Sequence, residues 1–288
     1  MDSRQTPSRA AFLLCGGLGT RLRTVTDRPK AVIPVAGWPF LRFHLERLRG
    51  AHVSRIVFLT GHGADEVEKV FGAERMDEIL GDDAPGEPAA SLPMRIFVAE
   101  TEPLGTGGAL ANARAFAADV NLVVNGDSYA DYPFGEFFQA TSAAASPGAL
   151  TGAASADRPG DPGDPAAAAA SAGRSPTAFI LAVPLADASD YGSLDVDVDG
   201  RIRGFAEKAH SGAGIINAGT YLIPRAFLDE LPDGPSSLER DHFPRWAAEG
   251  RLRAHHADVF FRDIGTPDRL ALAQAEFAEI RRRLEAAR

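Results

Sequence analysis

"LLCGGLGTRLRTVTDRPKAVIPV" (residues 13–35) runs an apolar segment into a glycine-rich turn, with Arg21 inside the turn and Pro29-Lys30 shortly after it. Residues 11–15 read as a buried first strand. Glycines behind a strand let backbone N–H groups approach an anion closely, and several can point inward together. Two cations beside such a turn imply an anionic ligand. The turn is not a Walker A loop, because no G-x-x-x-x-G-K-[ST] is present. It is not a dinucleotide fingerprint either, since Leu22 stands where G-x-G-x-x-G requires its third glycine.

Outward from this turn, apolar spacing predicts a helix over 39–49, a strand over 55–61 and a helix over 64–72. A strand over 95–100, a helix over 106–117 and a strand over 121–127 follow. Strands alternating with helices imply a parallel sheet with helices on both faces, and ligands then bind beyond the carboxyl ends of the strands. The turns Gly16–Arg21, Glu100–Gly108 and Asn125–Asp127 all fall there. The second half predicts a strand over 178–185 and a hairpin over 193–207 turning at Asp199-Gly200. A strand over 215–223, a helix over 236–250 with serine caps, and a strand and turn over 256–265 come next. The closing helix is capped by Thr266, with Pro267 in its first turn. Residues 81–93 read as a Pro/Gly/Ala loop. The segment 143–176 is low-complexity, with Leu150 its one large apolar residue. It cannot bury enough surface to offset its ordering entropy, and reads as a flexible insertion without catalytic function.

The 288 residues are 45% hydrophobic and 24% charged, which supports a sizeable core. A formal net charge of -9 disfavours nucleic acid and anionic lipid as partners, while a local basic cluster can still take an anionic small molecule. The single cysteine, Cys15, cannot form an internal disulfide, which suits a reducing compartment. The apolar run at 11–15 is too short for a signal h-region or a membrane span. The expectation is a cytoplasmic protein with no membrane association, and a homo-oligomer is left open.

Gly16-Gly17-Leu18-Gly19-Thr20-Arg21-Leu22, then Pro29-Lys30 and Pro34-Val35, resembles the signature of sugar-1-phosphate nucleotidylyltransferases. Glu102-Pro103-Leu104-Gly105-Thr106-Gly107-Gly108, Asn125-Gly126-Asp127, Tyr191-Gly192, Glu207-Lys208, Asn217-Ala218-Gly219 and Asp263-Ile264-Gly265-Thr266 follow in the family's order. The resemblance implies one Rossmann-like α/β domain over 1–288, with a mixed, mainly parallel sheet and helices on both faces. Residues 9–142 would form the nucleotide-binding half and 177–288 the sugar-phosphate-binding half. It also implies a reaction: a sugar-phosphate oxygen attacks the α-phosphorus of a nucleoside triphosphate, and pyrophosphate leaves. The attacking phosphate is already ionised, so no general base is needed and catalysis reduces to positioning and charge stabilisation.

By this resemblance Arg21 holds the triphosphate and Lys30 neutralises the α-phosphate or the incoming phosphate. The nucleotide side comprises Gly16, Gly17, Gly19, Thr20, Leu104, Gly105 and Thr106, with Glu100 near the base. Asp127 and Asp263 converge on Mg²⁺, an ion usually held by one or two carboxylates plus phosphates and waters. Lys208 grips the sugar phosphate, and Glu207, Asn217, Gly192 and Gly219 meet sugar hydroxyls. Asn125-Gly126-Asp127-Ser128, Ser237-Leu238-Glu239 and FFRDIGT (260–266) look most like D-glycero-α-D-manno-heptose 1-phosphate guanylyltransferases. These use GTP and make GDP-heptose for bacterial capsule, S-layer or O-antigen glycans. Mannose-1-phosphate guanylyltransferases are the nearest competitor. A non-catalytic regulatory relative would typically have lost the cations or carboxylates kept here.

Overall fold

The computed structural model describes residues 6–17, 19–72, 93–144, 176–206 and 212–287. The chain begins with β1 (Arg9–Leu14), followed by the short ribbon β2 (Pro34–Val35) and β3 (Trp38–Pro39). Next come α1 (Phe40–Leu48), β4 (Arg55–Thr60), α2 (Ala64–Phe71), β5 (Met94–Ala99), α3 (Gly105–Asn112), β6 (Val120–Asn125), β7 (Ser128–Ala130) and α4 (Phe134–Ala144). The second half holds β8 (Ala178–Leu185), β9 (Ser193–Val196), β10 (Ile202–Ala206), β11 (Gly214–Pro224) and α5 (Arg225–Asp229). It ends with α6 (Phe243–Ala248), β12 (Leu252–His256), β13 (Phe261–Asp263) and α7 (Pro267–Ala286).

One mixed nine-stranded sheet forms the centre, and β2–β3 and β7–β13 are separate two-stranded ribbons. β5, β4, β1 and β6 are parallel, with β1 central. Alternation along β1 sends Ala11 and Leu13 to one face, and Ala10 and Phe12 to the other, all fully buried. The first face packs on Leu41 and Leu45 of α1 and Phe137 of α4; the second packs on Leu110 of α3 and Trp246 of α6. A third cluster seats Phe277 of α7 against Phe40, Phe43 and Tyr129. Each such fully buried aromatic contributes on the order of 2–3 kcal/mol by burial.

The second half joins through β11, which runs antiparallel to β6. On one edge, β11 pairs β6 through residues 220–224 and β9 through Ile216. Its other edge pairs β8, with a register shift between Asn217 and Tyr221. Residues 217–219 thus bulge at the gap between the end of β6 and the start of β9. A gap beyond the carboxyl end of a central strand is where an α/β sheet offers a ligand site.

Four sequence expectations change. The helix placed at 106–117 starts at Gly105, stops at Asn112, and continues as a separate tight turn over Arg114–Phe116. The helix placed at 236–250 opens with a wide turn, Leu238–His242, in which the Phe243 N–H reaches the Leu238 carbonyl, before α6. Pro244 lacks an N–H and would clash with a carbonyl one regular turn back, so widening relieves it. The strand placed at 256–265 shrinks to β13, which lies outside the main sheet and pairs β7, while the unexpected β12 just before it pairs β8 in the main sheet. The hairpin loop spans 198–200 rather than two residues, and the Asp197 carboxylate accepts from the N–H groups of Asp199 and Arg201. Of the loop expected at 81–93, residues 81–92 lie outside the described residues, as do residues 145–175 of the insertion expected at 143–176, whose first two residues instead end α4.

Candidate active site

Two clefts open at the carboxyl ends of the strands. The first, about 470 Å³, is lined by Gly16, Gly17, Gly19, Thr20, Arg21, Lys30, Glu100, Gly105 and Thr106. That volume suits a nucleotide-sized ligand. Glu100 follows β5, and burial pushes its carboxyl pKa up while the Leu104 N–H, donated to Oε2 at 3.1 Å, opposes this. A Cβ on Gly16 would stand 2.7 Å from Glu100 Oε1, so only glycine admits this carboxylate. Leu104 does not line the cleft; its N–H is committed to Glu100. Cys15 lies beneath, its thiol pushed up to about 12 by burial and the nearby Asp127 charge, and it behaves as a packing group.

The second cleft, about 740 Å³, is lined by Gly192, Asn217, Gly219, Tyr221, Glu239, Asp263 and Arg269. Arg21, Asn125 and Asp127 belong to both. Here Lys30 Nζ donates to Asp127 Oδ2 at 2.8 Å and the Ser128 hydroxyl to Oδ1 at 3.1 Å. Burial alone would raise the Asp127 pKa, but Lys30, Ser128 and the charge of Arg21 outweigh it and hold the carboxyl below its usual range.

The β7–β13 ribbon brings the two expected metal carboxylates together. Asp263 is in register with Ser128, and the Ile264 N–H donates to the Asp127 carbonyl at 2.9 Å. Asp263 is buried. Its Oδ2 accepts from the Tyr191 hydroxyl at 2.7 Å, its Oδ1 from the Gly265 N–H at 2.8 Å, and Arg269 Nη1 reaches both oxygens at 3.2 and 3.0 Å. Arg21 lies alongside: a Cβ on Gly265 would stand 2.9 Å from Asp263 Oδ1 and 3.3 Å from Arg21 Nη2.

On the β11 bulge, Asn217 Oδ1 accepts from the Gly219 N–H at 2.9 Å and its Nδ2 donates to the Tyr221 hydroxyl at 3.1 Å. Gly219 has φ 70°, and a Cβ there would stand 2.8 Å from Asn125 Nδ2. Both its conformation and its neighbour require glycine. The structure therefore gathers every expected site residue except Leu104, which stands behind Glu100, and Glu207 and Lys208, which lie outside the described residues.

Sequence reasoning did not assign three residues of this site. Asn125 faces both clefts, and its buried Oδ1 has no hydrogen-bond partner among the described residues, leaving an acceptor. Glu239 accepts from the hydroxyls of Thr106 at 2.7 Å, Ser237 at 2.9 Å and Tyr221 at 3.2 Å, tying α3 to the second cleft. Arg269 sits in the first turn of α7, where the Thr266 hydroxyl caps its N–H. The available signal was position: Asn125 opens the Asn-Gly-Asp triplet, Glu239 follows the Ser237 cap, and Arg269 lies one helical turn past Asp263-Ile264-Gly265-Thr266.

Does the donor set suit Mg²⁺? No group of three or more His, Cys, Asp or Glu is gathered among the described residues. Asp127 and Asp263 are two oxygen ligands at adjoining ribbon ends, the number such an ion takes when substrate phosphates and waters complete its shell. Each Asp127 oxygen carries one protein donor, so lone pairs remain. Asp263 fits once one of its donors yields.

The Nucleotidyl transferase family matches residues 10–162 and 164–280. The mannose-1-phosphate guanylyltransferase of Mycobacterium tuberculosis is 30% identical over 273 residues, covering 92% of this chain and 64% of that protein. The mannose-1-phosphate guanylyltransferase catalytic subunit beta of Drosophila pseudoobscura pseudoobscura is 29% identical over 262 residues, covering 89% and 59%. The chain thus spans about three fifths of the length of these curated relatives. The crystal structure of HddC from Yersinia pseudotuberculosis is 29% identical with a TM-score of 0.69, covering 93% of this chain and 99% of that one. HddC complexed with GMP-PN is 30% identical with a TM-score of 0.66 and the same coverage.

Proposed function

This chain belongs to the nucleotidyl transferase family, and on that premise we propose that it transfers GMP from GTP to a sugar 1-phosphate, releasing pyrophosphate. The observation that carries the reading is the wall shared by the two clefts, formed by Arg21, Asn125 and Asp127, with Lys30 of the first cleft paired to Asp127. A nucleotide in the first cleft and a sugar phosphate in the second would bring their phosphates together at that wall.

The reacting oxygen of the sugar phosphate forms a bond to the α-phosphorus, and the bond to the bridging oxygen of the β-phosphate breaks. That electron pair leaves with pyrophosphate. Arg21 offers a cation and hydrogen-bond donors to the triphosphate and the leaving group. Lys30, fixed by Asp127, meets the α-phosphate, and fixed cations of this kind stabilise developing charge without reorganising. Mg²⁺, held by Asp127 and Asp263, would supply charge neutralisation across the phosphates. Glu100 would read the base. A half-buried carboxylate suits the N1–H and N2 amine donors of guanine, whose pairing offsets its desolvation. The names of the curated relatives and the GMP-PN complex of HddC support guanine.

The sugar proposed is D-glycero-α-D-manno-heptose 1-phosphate, supported by the resemblance at 125–128, 237–239 and 260–266. Mannose 1-phosphate is the second reading, favoured by the names of the curated relatives. No helix among the described residues is long and apolar enough to cross a membrane, and with the single cysteine this supports work in the cytoplasm. The test is pyrophosphate release with Mg²⁺, crossing GTP, ATP, CTP, UTP and dTTP with heptose, mannose and glucose 1-phosphates. Turnover confined to GTP with one of the first two sugars is expected. Absence of turnover with every pair would overturn the enzymatic reading.

A further inference from the structure

The two carboxylates expected to hold the metal are not equally open. Asp127 retains lone pairs. A carboxylate offers about four acceptor sites, and Tyr191, Gly265 and the doubly placed Arg269 Nη1 fill those of Asp263. A cation can take Asp263 only by displacing one of them. The Gly265 N–H is backbone, buried within the turn that makes it. Tyr191 packs on Phe261, its ring centroid 5.3 Å away. Arg269 alone has somewhere to go: its Nη2 already holds Asp190 at 2.6 Å, on a carboxylate that is 73% exposed. Its guanidinium stacks 4.7 Å above the Tyr191 ring, inside the second cleft. The same arginine therefore closes a metal ligand and faces the space in which the sugar phosphate would sit.

We propose that Arg269 couples sugar-phosphate binding to metal binding: it holds Asp263 closed, and an incoming phosphate dianion draws it away and frees the carboxylate. This rests on the function proposed above. Arg269 acts through Asp263 and is a positioning residue. A dianion competes well for a guanidinium because the bond is charge-assisted on both sides. Asp190 steers the released side chain and keeps its charge paired.

The test measures Mn²⁺ binding by electron paramagnetic resonance on the full chain. The chain is loaded with a GTP analogue carrying a methylene between the α- and β-phosphorus, with and without the sugar 1-phosphate that turns over. In the wild type the sugar phosphate is expected to tighten Mn²⁺ by about tenfold. In Arg269→Met, Mn²⁺ should bind tightly without the sugar phosphate and gain less than about twofold from it. Removing a positive charge could by itself tighten Mn²⁺, but it would leave the coupling intact, so the coupling decides. Persistence of the tenfold gain in Arg269→Met, or its absence from the wild type, overturns the proposal. Should Arg269→Met fail to fold, Asp190→Asn serves: with its second anchor weakened, Arg269 stays on Asp263, and Mn²⁺ should bind more weakly without sugar phosphate while the coupling grows. An unchanged coupling there overturns the proposal equally. Turnover without coupling defeats only the role of Arg269. A chain that binds no GTP analogue and turns over no substrate defeats the function itself.

Discussion

Replacing Arg21 with alanine separates catalysis from folding. The side chain is exposed, and no hydrogen bond or ion pair joins it to the described residues. Its contribution to the Asp127 pKa ranks below those of Lys30 and Ser128. Surface substitutions of this kind change stability by about 0.5 kcal/mol or less. The catalytic cost is set by position, because the guanidinium lies between the clefts and beside Asp263. Removing one preorganised group from a site of developing charge costs on the order of a hundredfold or more in kcat. At 1.36 kcal/mol per tenfold, a hundredfold is about 2.7 kcal/mol. Steady-state pyrophosphate release at saturating substrates measures kcat, and urea denaturation measures stability. A kcat loss below tenfold would place the triphosphate elsewhere. A stability loss above about 1 kcal/mol would show that the arginine is structural, contrary to its exposure.

Asp127→Asn should abolish metal-dependent turnover while the far-UV spectrum and cooperative unfolding persist; full activity in the variant, or wild-type activity in chelator, refutes the ligand assignment. Gly219→Ala forces a left-handed residue against Asn125 and should lower stability by about 1–3 kcal/mol, read as a fall in Tm, with a raised KM for the sugar phosphate. The depressed Asp127 pKa contributes stability that is present above the ordinary carboxylate value and is lost as pH falls through its folded value. Lys30→Met should move that loss to higher pH, and denaturation between about pH 3 and 5 would reveal an unmoved limb if the pair were idle. Glu100→Ala should erode the preference for GTP over UTP by raising the KM for GTP; unaltered discrimination would mean that backbone groups read the base.

The glycine-turn wall of the first cleft was legible because its residues are local. A strand, a glycine turn, Arg21 and Lys30 lie within twenty-two residues, 9 to 30, and their chain order already fixes their neighbourhood. Asp127 was legible as a strand-end carboxylate, while its proximity to Asp263 came only from the family's order, because β7 and β13 lie far apart in sequence. Glu239 escaped because the side chains that tie it to the site come from other segments, and Arg269 because, although Asp263 lies six residues before it, its second anchor is distant. Thr106 and Glu239 meet across 133 positions, and Asp190 and Arg269 across 79. No spacing rule encodes such pairs. Pro244 was visible, but the wide turn it induces depends on a helix continuing through it.

The common wall of Arg21, Asn125 and Asp127 bears on inhibition. A molecule that fills both clefts loses its translational freedom once, whereas two separate occupants each lose theirs. The nucleotide sugar that the proposed reaction would form is such a molecule. It is therefore expected to compete with both substrates and to slow the forward reaction as it accumulates, making its onward consumption a determinant of flux. A synthetic bisubstrate ligand would gain the same advantage, provided that its linker follows the path past Asp127.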